Sequence, residues 1–192
     1  MAGSLEVIRG CMFSGKTERL CRTLERFRSA GQEYLAFKPK IDNRYSDSKI
    51  VSHNGISIPA FSVESPREIL ENADQVGIVA IDEVQFFLTK EIVGCVEMLV
   101  REGRRVIVAG LDTDYRGSPF GFVGDLLAIA DRDTHLTSVC AVCGKTATRT
   151  QLLVNKKPAS TGEPVILVGG GERFGIKKYE YQPRCRGCHT IG

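Results

Sequence analysis

One eight-residue segment restricts the fold of this chain more than any other. Residues Gly10–Thr17 read G-C-M-F-S-G-K-T and follow the pattern G-x-x-x-x-G-K-[ST]. A β-rich run from Leu5 to Arg9 precedes the segment, and an apolar helical pattern follows it from about Lys16. This order of strand, loop and helix is the context in which the pattern forms a phosphate-binding loop. A glycine turn leading into an ordinary helix is the alternative interpretation.

The residue types of such a loop explain its chemistry. Glycines let the backbone curl so that amide N–H groups point at phosphate oxygens, and the helix N-terminus adds a favourable dipole. Lys16 is expected to reach the β- and γ-phosphates of a nucleoside triphosphate, and the Thr17 hydroxyl is expected to ligate Mg²⁺. The predicted ATP-binding residues of the loop are therefore Gly10, Cys11, Met12, Phe13, Ser14, Gly15, Lys16 and Thr17.

Strand-like and helix-like segments alternate as far as about residue 130. This alternation predicts an α/β fold with a mainly parallel sheet, in which ligands bind at the carboxyl ends of the strands. Ser65, Pro66 and Glu68 have the form of a capping box and predict a helix start. After the first helix, which Gly31 is expected to cap, the predicted elements are a strand at 33–37, a helix at 66–73, a strand at 76–81, a helix at 89–102 and a strand at 105–109.

Two adjacent acids follow the apolar run that ends at Ile81. Such a run is typical of a strand buried on both faces of a parallel sheet, so Asp82 occupies the place of an acid that holds the Mg²⁺ shell opposite the phosphate loop. Glu83 lies beside it at the open end of the strand and could accept the proton of an attacking hydroxyl as general base. Two solvated acids that cap the next helix are the alternative.

Four of the seven cysteines form two C-x-x-C pairs, Cys140 with Cys143 and Cys185 with Cys188. This spacing predicts a closed four-thiolate Zn²⁺ site that stabilises a small domain. The competing interpretation is a redox-active pair. The sequence changes character near residue 134, so we predict a P-loop domain over 1–134 and a zinc ribbon over 135–192, with 155–164 an exposed loop. The other cysteines, Cys11, Cys21 and Cys95, are expected to be ordinary buried or loop thiols.

Composition narrows the range of partners. The net charge of +3 suits anionic substrates but is too small for a nucleic-acid-binding surface. No apolar segment approaches membrane-spanning length, and no basic segment followed by an apolar run opens the chain, so a cytoplasmic protein without a membrane partner is expected. Three histidines, His53, His135 and His189, are expected to be structural or surface residues, although His189 could substitute as a metal ligand.

Six segments in one order resemble the thymidine kinase family of many bacteria and of animal cytosol. They span nearly the whole chain and are Gly10–Thr17, Asp42–Ser46, Ile81–Phe87, Gly110–Gly121, Cys140–Lys145 and Arg184–His189. The resemblance implies a RecA-like sheet and transfer of the ATP γ-phosphate to the 5′-hydroxyl of thymidine or deoxyuridine with Mg²⁺. It also implies a homotetramer and feedback inhibition by thymidine triphosphate.

The resemblance also assigns residues by position. Glu83 resembles the general base, Lys16 the second catalytic group and Asp82 the magnesium acid, while further ATP-binding positions are Asp42, Asn43, Arg44, Val84 and Gln85. In this family apolar side chains enclose the base, and a "lasso" of the zinc domain binds its edge. The matching nucleoside positions are Met12, Phe86, Leu111, Tyr115, Phe120, Val165, Ile166, Leu167, Val168 and Gly169.

One stretch departs from the family pattern. The interval from Gly169 to Cys185 is longer than the family's, so two aromatic residues could close the nucleoside site. Tyr181 keeps the family's distance to Cys185 and is favoured, whereas Phe174 keeps the distance to the glycines. A second hypothesis for the whole chain is a P-loop ATPase whose zinc ribbon acts on nucleic acid; it predicts a basic, aromatic ribbon face.

Overall fold

The computed structural model describes residues 2–42, 48–74, 76–166 and 177–192. In these residues the strands are Ser4–Gly10 (β1), Tyr34–Pro39 (β2), Lys49–Val51 (β3), Ser57–Pro59 (β4), Phe61–Val63 (β5), Ile78–Ile81 (β6), Arg105–Gly110 (β7), Arg132–Leu136 (β8), Ser138–Val139 (β9), Thr146–Ala147 (β10), Arg149–Val154 (β11), Lys157–Pro158 (β12) and Tyr179–Arg184 (β13). The helices are Lys16–Ser29 (α1), Pro66–Asn72 (α2), Glu91–Arg101 (α3) and Val123–Ala128 (α4), with a 3₁₀ turn at Val84–Phe86.

The main sheet of the described residues has six strands in the order β5-β2-β6-β7-β1-β8. Every pairing in this sheet is parallel, which confirms the predicted α/β class. Because the carboxyl ends of parallel strands meet at one edge, Gly10 at the end of β1, Asp82 after β6 and Leu111 after β7 lie along the same edge. β7 lies between the other two strands.

Two apolar layers cover the two faces of this sheet. Side chains alternate along β7, so that Val106 and Val108 lie in one layer while Ile107 and Ala109 lie in the other. The first layer includes apolar residues of α2, α3 and α4. The second includes Leu20, Cys21 and Leu24 of α1 together with the β3–β4 hairpin. The strands are therefore buried on both faces, as the continuous apolar runs predict.

Several local predictions need correction. The capping-box helix begins as predicted after Ser65, but the Ser65 hydroxyl caps no backbone amide; it donates to the Glu68 carboxylate, which also accepts from the Glu64 N–H. The strand predicted at 33–37 extends to Pro39, because Lys38 and Pro39 pair with β5, which the sequence did not predict. The region 155–164 is not wholly loop, since β12 returns onto β11.

The chain after Leu136 forms smaller sheets. β11 pairs with β12 and β13, and β9 pairs with β10. β8 still belongs to the main sheet through Leu136, and the domain division near residue 134 stays a prediction. Within the described ranges, no helix is both long and apolar enough to cross a membrane.

Candidate active site

The phosphate-binding loop begins where β1 ends. Gly15 has φ 85°, a left-handed conformation that glycine adopts without strain, and it forms the N-cap of α1. The Arg19 N–H donates to the Gly15 carbonyl, so the helix starts directly behind the loop. The Ser14 Oγ is buried and has no hydrogen-bond partner, which leaves it available to a ligand of the loop. The predicted strand, loop and helix order is therefore confirmed.

Lys16 lies almost completely inside the protein. The residue is only 8% exposed, and its Nζ donates to the Cys11 carbonyl at 2.8 Å. Burial lowers the pKa of this ammonium, while the charges of Glu83, Cys11 and Asp82 oppose that shift. A γ-phosphate at this position would bring a stronger anionic partner to the same ammonium.

Asp82 and Thr17 together provide oxygen ligands. Asp82 is 4% exposed, and its carboxylate accepts a hydrogen bond from the Thr17 side chain. Burial and the adjacent Glu83 raise the pKa of Asp82 to about 7, although the Thr17 contact and the Glu83 N–H oppose this. A hydroxyl and a carboxylate side by side are the hard oxygen donors that Mg²⁺ prefers, so these residues fit the ion.

Glu83 has an unusual backbone. Its φ of 51° is left-handed, a conformation that costs a non-glycine residue free energy and often marks a functional position. The turn directs the chain from β6 into the 3₁₀ turn, and the side chain is buried with 9% exposure. Its Oε2 accepts a short hydrogen bond from the Gln85 Nε2. The carboxylate is therefore held in one orientation beside Lys16 and Asp82.

Gln85 connects Glu83 to the next strand. It is fully buried, and its Oε1 accepts from the Leu111 N–H at 3.0 Å. A Cβ on Gly110 would lie 2.6 Å from that Oε1, so only glycine leaves room for this side chain. Gln85 thus has both ends of its amide satisfied, and the end of β7 fixes the orientation of Glu83.

The four predicted zinc ligands come together. The Sγ atoms of Cys140, Cys143, Cys185 and Cys188 all lie within 4.8 Å of one another, and the Cys143 and Cys185 Sγ atoms are 3.6 Å apart. Four thiolates at this spacing fit a tetrahedral Zn²⁺. His189 is a neighbour and not a ligand in this group, since its Nε2 lies 2.8 Å from the Tyr115 carbonyl oxygen.

A family model described as thymidine kinase matches residues 3–189. The match covers the phosphate loop, both acids and both cysteine pairs, which is nearly the whole chain. The chain belongs to the thymidine kinase family. Membership supports a nucleoside kinase function, and therefore a phosphotransferase.

The residues that resemble the family's nucleoside site fall into two groups in the structure. Phe86 and Phe120 pack edge to face with ring centroids 5.8 Å apart. Tyr115 forms a second cluster, which includes Val165 and Tyr181. Leu111 is buried beside Gln85, whereas Met12 and Ile166 are half-buried.

Several positions assigned from the family resemblance lie outside the described residues, and Val84 is buried in the apolar core. Asn43, Arg44, Leu167, Val168, Gly169 and Phe174 lie outside the described residues. Val84 is 1% exposed and packs in the sheet core, so its side chain faces apolar neighbours. Asp42 is buried, and its charge raises the pKa of Asp82, which places it near that carboxylate.

Sequence reasoning missed three supports of the thymidine kinase site. The Lys38 Nζ is buried and donates to the Asp42 carbonyl at 2.8 Å. The Arg9 guanidinium, just before the phosphate loop, binds Asp133 through two nitrogens and Asp112 through the third, each at 2.9 Å. No local pattern could reveal these contacts, although a charged residue inside an apolar strand was a usable signal for Lys38 and Arg9.

Thr150 is the third support that was missed. Its hydroxyl accepts from the Met12 N–H at 3.0 Å and joins β11 to the phosphate loop. His53 also meets this loop, because its ring packs edge-on against Phe13 with centroids 5.6 Å apart. Both partners are more than thirty-five residues away from the loop, so spacing in sequence gives no hint of either contact.

A cavity of about 460 Å³ opens beside the site, at the ends of β2 and β5. Its lining includes Lys40, Glu64 and Phe87. Among the predicted site residues in the described part of the chain, Phe86 is the one that it shares. The cavity therefore adjoins the predicted nucleoside site at Phe86.

Proposed function

We propose that this protein is a thymidine kinase that transfers the ATP γ-phosphate to the 5′-hydroxyl of thymidine or deoxyuridine. The observation that carries the proposal is the orientation of Glu83, which Gln85 holds beside the buried Lys16. A fixed carboxylate next to a buried ammonium is what phosphoryl transfer to an alcohol needs, because one group takes the proton while the other binds the transferred phosphate.

The transfer follows from these two side chains. Glu83 accepts the proton of the 5′-hydroxyl while that oxygen forms its bond to the γ-phosphorus. The bond between the γ-phosphorus and the β,γ-bridging oxygen breaks, and ADP leaves with that electron pair. Lys16 stabilises the negative charge on the phosphoryl oxygens throughout. Mg²⁺ held by Thr17 and Asp82 would neutralise charge on the β- and γ-phosphates.

The nucleoside site is proposed from the same geometry. We place the nucleoside base between the Phe86–Phe120 pair and the cluster that contains Tyr115 and Tyr181, with Leu111 beside Gln85. Apolar side chains of this kind exclude water from the transferred phosphate. Main-chain groups of 165–169 would read the edge of the thymine base, as the family resemblance implies.

Further properties of the family are proposed for this chain. These are a homotetramer, feedback inhibition by thymidine triphosphate, a cytoplasmic location and a structural Zn²⁺ at the four cysteines. The cysteine cluster supports the last of these directly.

A nucleoside panel tests the reaction and its selectivity together. The protein is incubated with ATP, Mg²⁺ and thymidine, deoxyuridine, deoxycytidine or deoxyadenosine, and the monophosphate products are separated. Thymidine and deoxyuridine should be phosphorylated, and 5′-deoxythymidine, which lacks the acceptor hydroxyl, should not.

The matched control is Lys16→Met, which keeps an unbranched side chain only one atom shorter but removes its charge. We expect its thymidine phosphorylation to fall at least about a hundredfold at unchanged thermal stability, as when one charged group of a phosphoryl-transfer site is removed. The proposal is wrong if ATP binds to the wild-type protein and no nucleoside of the panel is phosphorylated.

A further inference from the structure

Two consecutive residues of the phosphate loop are hydrogen-bonded to the region that the cysteines hold. The Cys11 thiol donates to the Ala147 carbonyl at 3.5 Å, and the Met12 N–H donates to the Thr150 hydroxyl at 3.0 Å. Cys11 is 1% exposed and Thr150 is 2% exposed, so neither contact competes with water. The loop therefore depends on the C-terminal region for part of its shape.

The same contacts lead back to the cysteine cluster over a short path. Ala147 and Cys11 belong to one buried cluster with Cys140, and Cys185 and Cys188 pack against it. Thr150 lies on β11 opposite Pro183 of β13, two residues before Cys185. The Ala141 N–H also donates to the Pro183 carbonyl at 3.0 Å and joins the two cysteine knuckles.

The path continues from the loop to its lysine. The Lys16 Nζ donates to the carbonyl of Cys11, the residue whose thiol is bonded to Ala147. A shift of Ala147 or Thr150 would move Cys11 and Met12, and with them the lysine that binds the γ-phosphate. Small clusters of four thiols fold around their metal, so loss of the metal removes the support of both contacts.

We propose that the metal of the four-cysteine site and the triphosphate of the phosphate loop bind cooperatively, through Cys11 and Thr150. This inference rests on the proposed ATP-binding function and assigns the metal a regulatory influence on it. Because coupling between two sites is reciprocal, each ligand raises the affinity of the other by the same factor. The nucleoside takes no part, and Met12 contributes only its backbone N–H.

The test measures affinities and not turnover. The zinc affinity of the full chain is measured by competition with a chromophoric chelator, with and without saturating ATP, at excess Mg²⁺ and without nucleoside. ATP should tighten zinc binding about fivefold or more, and metal depletion should weaken ATP binding, measured by calorimetry, by the same factor.

Cys11→Ala and Thr150→Val remove one contact each and should bring this factor toward one, while both variants still bind zinc at four cysteines. Cys95→Ala is the matched control, because its buried thiol makes the same kind of contact, to the Pro66 carbonyl at 3.4 Å, in the apolar layer on the sheet face opposite α1. It should keep the full factor. Lys16→Ala should bind ATP weakly, so any remaining effect of ATP on the measured zinc affinity of this variant would come from direct chelation of zinc by the nucleotide.

The outcomes separate the two claims. If ATP does not bind to the metal-loaded protein, the proposed function and this inference both fail. If ATP binds but zinc affinity does not change, the inference alone is overturned. The same holds if Cys11→Ala and Thr150→Val both retain the full coupling.

Discussion

The two halves of the candidate site are held in different ways. At the sheet edge, Asp82 and Glu83 follow β6, all four residues of which are buried between two large apolar layers. Among the described residues of the C-terminal region the buried clusters are small, and each includes one residue from the part of the chain before residue 135. One takes Cys11 of the phosphate loop, and the other takes Tyr115.

This difference shows which interactions stabilise each half of the candidate site. The acids are held by a core built from residues between Leu5 and Leu136. The described residues of the C-terminal region bury too little apolar surface to fold by themselves, so we expect the cysteine cluster and the docking onto the loop to replace a core. Perturbing the metal should therefore affect one half, and perturbing Gln85 or Glu83 should affect the other.

Removal of the metal is expected to have the largest effect. Binding of a structural Zn²⁺ contributes on the order of 10 kcal/mol to the folding of a small domain. Chelation, or Cys185→Ser, should abolish the hydrogen-exchange protection of β11 and β13 while β6 and β7 stay protected. Equal loss of protection in both sheets would show that the two halves fold as one unit.

Glu83→Gln should act on the other half without unfolding it. The isosteric amide cannot accept the proton, so kcat with thymidine should fall about 10²- to 10⁴-fold. ATP affinity and Tm should stay close to wild type, because the core below β6 is unchanged. Wild-type turnover in this variant would show that another group is the base.

Gln85→Leu should give a smaller effect in the same half. It removes the donor to Glu83 and leaves the buried Leu111 N–H unpaired, at a cost of about 1–3 kcal/mol in stability. We expect kcat to fall about tenfold to a hundredfold with little change in KM for ATP, because the orientation of the base is a transition-state property. A change confined to KM would contradict a positioning role.

The smallest effect concerns pH. The pKa of Asp82 is raised from 3.8 to about 7, so between these values the folded protein holds a proton that the unfolded chain has lost. The contribution of this carboxyl to the free energy of unfolding therefore falls as pH rises through that interval. Mg²⁺ binds the deprotonated form, so Mg²⁺-dependent ATP binding should tighten from pH 5.5 to 7, by at most about tenfold per unit.

ATP binding without Mg²⁺ is the control for this prediction. It should lack the part of the pH dependence that arises from Asp82. Calorimetry at each pH measures both affinities. An equal pH dependence with and without the ion would mean that Asp82 does not ligate it.

The sequence predicted features that depend on neighbouring residues better than contacts between residues far apart in the chain. The bounds of the loop, the burial of β6 and the two cysteine pairs follow from short patterns, and all are confirmed. The Gln85–Leu111 bond joins residues 26 positions apart, and Thr150 is 138 positions from Met12. Such contacts depend on strand order, and strand order is not written in any local pattern.

Ion pairs between residues far apart in the sequence were harder still to predict. Arg9 ends an apolar strand and was read as part of a β-rich run, yet it ties β1 to Asp133 on β8. Ser65 showed the opposite failure, because the local pattern was right about the helix start and wrong about the bond that caps it.

Gly110 limits the substitutions that could change the proposed selectivity for the nucleoside base. A methyl group there would clash with the Gln85 side-chain amide and with Val84, so even alanine would disturb Gln85 and, through it, Glu83, the proposed proton acceptor. Leu111 donates its backbone N–H to Gln85, so its side chain can be replaced without removing this hydrogen bond. Libraries that aim to accept other nucleosides should vary residue 111 and leave 110 untouched.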